Sequence, residues 1–245
     1  MKLARLGLDQ GPRYAVLDEE TNHYIVLADD PMFGKIEPSG QRLAADEVRL
    51  VAPMLPRSKV VGLGGAYDTD KVEDLTVFLK PNTAVVGPDQ GINFPRWASS
   101  ISYEAELAIV IGRVAKELPV ERAHEAIFGY TLANDVTAGG VPVVLNKVFD
   151  ASCPLGPVID TDFDPSDKVL EVKVNGQSAG TRSTAELQIS PTQIVSYLST
   201  IFTLLPGDVI LTGAGVEAPM SSESDVVDVS LEGIGSMRNR VIRGF

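Results

Sequence analysis

Short apolar runs, each closed by glycine, proline or a polar turn, dominate this chain and predict β-strands. "RYAVLD" and "HYIVLA" come early, and "KVVGLGGAY" runs from a strand into a glycine-rich loop. "TAVVGP" is short, "YEAELAIVIG" is long enough to be central, and "GYTLANDVT" is another. "KVLEVKVNGQSAGTR" alternates around Asn175-Gly176, the pair that a tight type I′ hairpin turn favours. "DVILTGAG", "DVVDVSL" and "MRNRVIR" complete the set. Helical signals are two: a short one in "PVERAHEAIFG", and "SPTQIVSYLSTIF", where Ser190, Pro191 and Gln193 form a capping-box start. Many strands and few helices predict a mainly β or α+β fold, a sandwich or roll, and argue against a doubly wound α/β sheet. Pro53 and Pro56 mark the expected boundary between a small N-terminal β domain, residues 1–56, and a main domain, residues 57–245.

The pattern is broken at one point. Glu104 and Glu106 are two apart in a strand, so they project from the same face with Cα atoms roughly 7 Å apart. Ala108 and Val110 continue that face and turn it apolar. Carboxylates losing hydration beside each other must take up protons, pair with lysine or arginine, or bind a cation. A solvated strand end, or pairing with a neighbour such as Lys147, is the plainer alternative. Asp135 ends the apolar strand of "LANDVT" in the same manner. Three oxygen donors without sulfur or imidazole suit a hard cation, Mg²⁺ first, with Mn²⁺ or Ca²⁺ as alternatives.

Composition narrows the field. The 245 residues include 21 basic and 33 acidic side chains, a formal net charge of −12, which argues against a nucleic-acid partner. Two histidines, His23 and His124, make a His-rich zinc site an unsuitable reading. The one cysteine, Cys153, cannot form an intramolecular disulfide and is read as a packing residue. No stretch reaches the ~18 apolar residues of a membrane helix, and the N-terminus lacks the apolar core of a secretory signal. A cytoplasmic protein without membrane partners is the expectation.

"FLKPNTAVVGP", "YEAELAIVIGR", "FGYTLANDVTA", "KVFDASCPLGP", "LLPGDVILTG" and "EGIGSMRNRV", in this order, resemble the fumarylacetoacetate hydrolase family over residues 59–243. The resemblance implies that family's mixed β-sandwich roll, usually a homodimer. It also implies Mg²⁺ or Mn²⁺ held by Glu104, Glu106 and Asp135, with Lys147 as the catalytic lysine and Thr212 helping to hold substrate. The implied substrates are small 2-oxo or enol carboxylic acids. They would pass through a metal-stabilised enolate in C–C hydrolysis, decarboxylation or enol–keto isomerisation.

Two departures qualify the resemblance. Family members usually carry G-L-N-Y-x-x-H-x-x-E, whose His–Glu pair activates water. This chain reads "GLGGAYDTDKVEDL", placing Tyr67 at the tyrosine, as a candidate substrate contact, Glu73 at the glutamate and Asp70 at the histidine. Asp70, if its pKa were raised by a neighbouring acid, could serve as the base. Gly139-Gly140 stands where an arginine-bearing segment usually follows the NDV motif, so a carboxylate clamp is lost. Arg182 is the remaining candidate cation. An isomerase or lyase gains from these losses, and a non-catalytic, metal-dependent oxo-acid binder is the alternative.

Overall fold

The computed structural model describes residues 1–244. A large mixed sheet runs in the order Pro38–Ala44, His23–Leu27, Gly11–Asp18, Lys2–Leu8, Cys153–Asp160, Ile127–Asn134, Ser100–Ile111, Val209–Leu211, Val60–Gly64, Thr76–Lys80. The N-terminal strands are continuous with this sheet, because Lys2 and Leu3 pair with Asp160 and Ile159. A second sheet of five strands runs Gln177–Ser183, Val169–Val174, Val226–Leu231, Gly235–Arg243, Ile92–Phe94. Its inward residues Leu170, Val172, Val229 and Met237 pack in one core with Tyr103, Ala105, Leu107 and Leu132 of the large sheet. The fold is thus mainly β, two sheets stacked face to face.

The helix Pro191–Ile201 forms as its sequence predicts, with Ser190 accepting from the Gln193 N–H and Gln193 reaching back to the Ser190 N–H. Its buried Ile194, Val195 and Leu198 cover Ile109 and Ile111, further along the strand face that Ala105 and Leu107 turn to the small sheet. Asn175 and Gly176 take φ of 53° and 80°, the paired left-handed conformations a type I′ turn requires. The expected helix in "PVERAHEAIFG" is instead a 3-10 turn over Val120–Ala126. Pro119 offers no side-chain cap, the Arg122 N–H bonds three residues back to the Pro119 carbonyl, and seven residues are too few to offset α-helix nucleation. Cys153–Asp160 is a strand, with Pro157 accommodated where the pairing with Ile127–Asn134 slips register. Cys153 is buried in the core beside Ala133 and Leu155, with its thiol pushed up to about 12 by burial, as befits a packing residue. Among the described residues no helix is long and apolar enough to cross a membrane.

Asp225 ties the sheets together. It is fully buried and accepts from the Tyr103 hydroxyl at 3.0 Å, Asn175 Nδ2 at 2.9 Å, the Ser221 N–H at 2.8 Å and hydroxyl at 2.7 Å, and the Ser222 hydroxyl at 2.9 Å. Burial alone would raise its pKa, but the bonds from Ser221, Asn175 and Ser222 outweigh that and hold it well below the usual 3.8. Asp225→Ala is expected to cost about 2–4 kcal/mol at neutral pH, by leaving buried donors unpaired. A depressed folded-state pKa contributes stability above the unfolded value, and that contribution fades as pH falls below it. Urea unfolding should therefore show the gap between wild type and variant closing as pH is lowered below 3.8.

Candidate metal centre

The strand Ser100–Ile111 carries two acids because its neighbours supply what a buried charge needs. It pairs with Ile127–Asn134 on one side and with Val209–Leu211 and Val216–Pro219 on the other. From Tyr103 onward every residue is buried. Just past the end of Ile127–Asn134, the Asp135 N–H donates to the Glu104 carbonyl at 2.9 Å, while the Glu104 N–H donates to Asn134 Oδ1 at 3.0 Å. This double tie fixes Asp135 beside the two glutamates. Carboxylate oxygens of Glu104, Glu106 and Asp135 all lie within 4.8 Å of one another. Glu106 and Asp135 are 0% exposed and Glu104 8%.

Two lysines and two neutral donors face this cluster. Lys147 Nζ lies 2.8 Å from Glu104 Oε2 and 2.7 Å from Asp135 Oδ2. The wholly buried Lys80 Nζ lies 2.6 Å from Asp135 Oδ1 and donates to the Val136 carbonyl at 3.2 Å. The Thr137 hydroxyl donates to Glu104 Oε1, and the Gly213 N–H to Glu106 Oε2 at 2.7 Å. Gly213 makes that approach at φ 108°, a conformation side chains disfavour. Burial, then the Asp135 charge, raises the Glu104 pKa against the pull of Lys147. Burial, then Asp135 and Glu104, lifts Glu106 well above the carboxylate range. Burial works to lower Lys147, but Asp135, Glu104 and Glu106 together outweigh it and keep the ammonium charged.

One atom is left over. Glu106 Oε1 is buried and has no hydrogen-bond partner. An orphaned carboxylate oxygen among two other acids, with no imidazole or thiolate in the cluster, fits a hard divalent cation. Three carboxylates with only two ammonium groups leave a negative remainder for such an ion to cancel.

A cavity of about 740 Å³ opens over this cluster, lined by Glu104, Thr137 and Lys147 at its floor and by Tyr67 and Phe78 on its wall. Tyr67 is buried, its hydroxyl has no partner, and its pKa is pushed up to about 12 by burial and then by Glu106. Asp70 and Glu73 are not brought to this cavity. The turn built by Asp68 and Thr69 N–H groups bonding to the Gly65 carbonyl directs them to solvent, where both are exposed. Thr212 is fully buried outside the lining, its hydroxyl donating to the Leu107 carbonyl at 2.9 Å. It steadies the turn that delivers the Gly213 N–H. Arg182 also lies outside the lining, its guanidinium 4.3 Å from the Tyr67 ring centroid and 3.2 Å from Glu186. His124 is exposed, as expected for a surface residue.

Sequence reasoning missed Lys80, Thr137 and Glu217. Lys80 closes the run "TVFLK" and was visible only as a lysine ending an apolar strand. Glu217 stands opposite Glu104 in the antiparallel ladder, a relation that no local pattern reveals.

Comparison with known proteins agrees with the fold. The fumarylacetoacetate (FAA) hydrolase C-terminal family matches residues 60–242, and an Rv2993c-like N-terminal family matches residues 1–53. Protein Rv2993c of Mycobacterium tuberculosis is 38% identical over 99% of this chain and 98% of its own. Oxaloacetate tautomerase fahd2 of Xenopus laevis, a mitochondrial protein, is 31% identical over 82% of this chain and 70% of its own. The crystal structure of 5-carboxymethyl-2-hydroxymuconate delta-isomerase from Mycobacterium smegmatis superposes with TM-score 0.90 at 40% identity, over 99% of this chain and 100% of that one. Maleylpyruvate hydrolase of Sphingobium sp. SYK-6, solved with manganese(II) and pyruvate, has TM-score 0.83 at 25% identity, over the whole of both chains. The chain belongs to the fumarylacetoacetate hydrolase family.

Proposed function

We propose that this protein is a divalent-metal enzyme for small 2-oxo or enol carboxylic acids, working in the isomerase or tautomerase branch. The observation that carries the reading is the buried, unpartnered Glu106 Oε1 set among Glu104 and Asp135. Glu104, Glu106 and Asp135 would hold Mg²⁺ or Mn²⁺. When bound, that ion supplies Lewis-acid stabilisation of negative charge on a substrate oxygen.

The chain's own residues supply the rest. Lys147, charged and at the cavity floor, neutralises the substrate carboxylate or gives a proton to the enol carbon, the enol O–H proton leaving to solvent and solvent restoring the Lys147 proton. It is an acid and not a base, because the three carboxylates keep it protonated. Tyr67 remains a phenol at neutral pH, so its free hydroxyl can donate to a substrate oxygen. Phe78 and Val77 give the cavity an apolar wall beside Lys147. Hydrolysis in the family pattern uses a base pair to activate water, and the residues at those two positions, Asp70 and Glu73, are exposed and outside the lining. That favours proton transfer within the substrate over water attack. The isomerase and tautomerase among the relatives support the same branch.

The same exposure of Asp70 and Glu73 favours a second reading, a metal-dependent binder of oxo acids without turnover. The two part on a direct assay. Metal-stripped protein is given Mg²⁺ or Mn²⁺ and a panel of acylpyruvates, oxaloacetate and hydroxymuconate-type acids, with enol–keto conversion followed by ultraviolet absorbance. The enzyme reading expects conversion that rises about a hundredfold or more on adding metal and returns to background with chelator. A metal-dependent thermal shift with oxalate, but no conversion of any panel member, would favour the binder.

A further inference from the structure

The cavity's charges say which acids belong in it. Among the described residues Lys147 is the only cation in the lining, and it is already shared between Glu104 and Asp135. No arginine among the described residues lines the cavity. The other charged lining residues are Asp68, Asp74, Glu104 and Glu217, all acidic. Glu217 is exposed and, among the described residues, makes no ion pair, and it sits directly opposite Glu104 in the strand pairing. Opposed residues of an antiparallel pair share a face with Cβ atoms about 5 Å apart, so like charges placed there repel each other and any anion between them.

The charge balance points the same way. Three carboxylates against Lys80 and Lys147 leave one formal negative charge. A divalent cation would turn that into one positive charge, which a single substrate carboxylate cancels. A second carboxylate would enter uncompensated beside Glu217. Away from the floor the wall is apolar: Leu63, Val77, Phe78, Val143 and Val144. Phe78 begins that wall beside the ammonium, its ring centroid 5.2 Å from Lys147 Nζ. Val143 and Val144 are 78% and 72% exposed, an apolar surface with nothing among the described residues covering it. At about 740 Å³ the cavity has room for a tail well beyond a three-carbon 2-oxo acid.

We propose that the substrate carries one carboxylate, next to its oxo or enol group, and an uncharged apolar tail lying along Phe78, Val143 and Val144. In this proposal Glu217 is the residue that excludes dicarboxylates. The inference rests on the metal-enzyme reading, since it names the substrate class of that same site.

The test uses inert 2-oxo-acid analogues, so it does not depend on turnover. Affinities of oxamate, N-butyloxamate and N-(3-carboxypropyl)oxamate are measured by calorimetry on the Mn²⁺-loaded chain, wild type and Glu217→Gln. The two substituted tails match in length and differ in one charge. The expected result is at least about tenfold tighter binding of the butyl compound to wild type, with Glu217→Gln narrowing that ratio several-fold. Equal affinities, or a preference for the carboxypropyl compound, overturn the proposal while leaving the metal site standing. A tenfold preference that survives unchanged in Glu217→Gln overturns the role of Glu217. Failure of oxamate itself to bind when Mn²⁺ is present refutes the underlying metal-enzyme reading, a different outcome from either.

Discussion

Metal-stripped Glu106→Gln protein is expected to bind no Mn²⁺ in calorimetry, to lose about a thousandfold in metal-dependent activity, and yet to melt at a higher temperature than stripped wild type. The combination follows from what Glu106 touches. Its Oε2 accepts the Gly213 N–H, which a glutamine oxygen can also do. Its other oxygen has only Glu104 and Asp135 for company. Without an ion the carboxylate is a buried acid among acids, and neutralising it relieves about 1–2 kcal/mol, or about 3–6 °C in a domain this size. With an ion it is a ligand, and its loss removes stabilisation worth several kcal/mol at the reacting oxygen, which is the thousandfold. The pH dependence has a definite sign. Glu106 has a folded-state pKa raised above the ordinary 4.5, so the stripped wild type loses stability as pH climbs from that value, whereas the variant lacks that contribution. A stripped variant less stable than stripped wild type at neutral pH would mean that Glu106 is a structural acid.

Lys147→Met should separate binding from chemistry. Lys147 bridges Glu104 and Asp135, and removing it leaves those acids one cation short. The stripped variant should be less stable by about 3 kcal/mol, the scale for breaking one side of a largely buried ion pair. Mn²⁺ affinity should rise, because a positive neighbour of the ion has gone. On the proposed reading, kcat/KM should nonetheless fall about a hundredfold or more, as the group that meets the substrate charge or gives the proton is missing. Calorimetry and steady-state kinetics on one preparation check both. Weakened metal binding with unchanged turnover per bound ion would make Lys147 a scaffold residue.

The acidic cluster was legible because strand alternation is local: a glutamate at every second position of a strand must share a face, and Asp135 ended its strand likewise. The capped helix at Ser190 and the hairpin at Asn175-Gly176 were legible for the same reason, since both are set by residues within four positions of one another. What escaped depends on register and on distant partners. Lys80 meets Asp135 across 55 positions of chain, and Glu217 meets Glu104 only once Val216–Pro219 is laid against Ser100–Ile111. Asp70 and Glu73 match the family's catalytic positions by spacing, but the backbone of the turn after Gly65 decides where they point, and it turns them outward. Thr212 likewise matches by position, while its hydroxyl is committed to the Leu107 carbonyl. The strand Cys153–Asp160 was hidden by its prolines and glycine, residues that normally end strands; here Gly156 and Pro157 sit at an irregular pairing.

The central claim is that Glu104, Glu106 and Asp135 share one hard cation, and anomalous scattering from crystals soaked in Mn²⁺ and oxalate addresses it directly. The account predicts a single strong manganese peak per chain, within coordination distance of all three carboxylates, with oxalate chelating its cavity side. Saturating Mn²⁺ that leaves no peak there, with Lys147 still bridging Glu104 and Asp135 across the space, would contradict it.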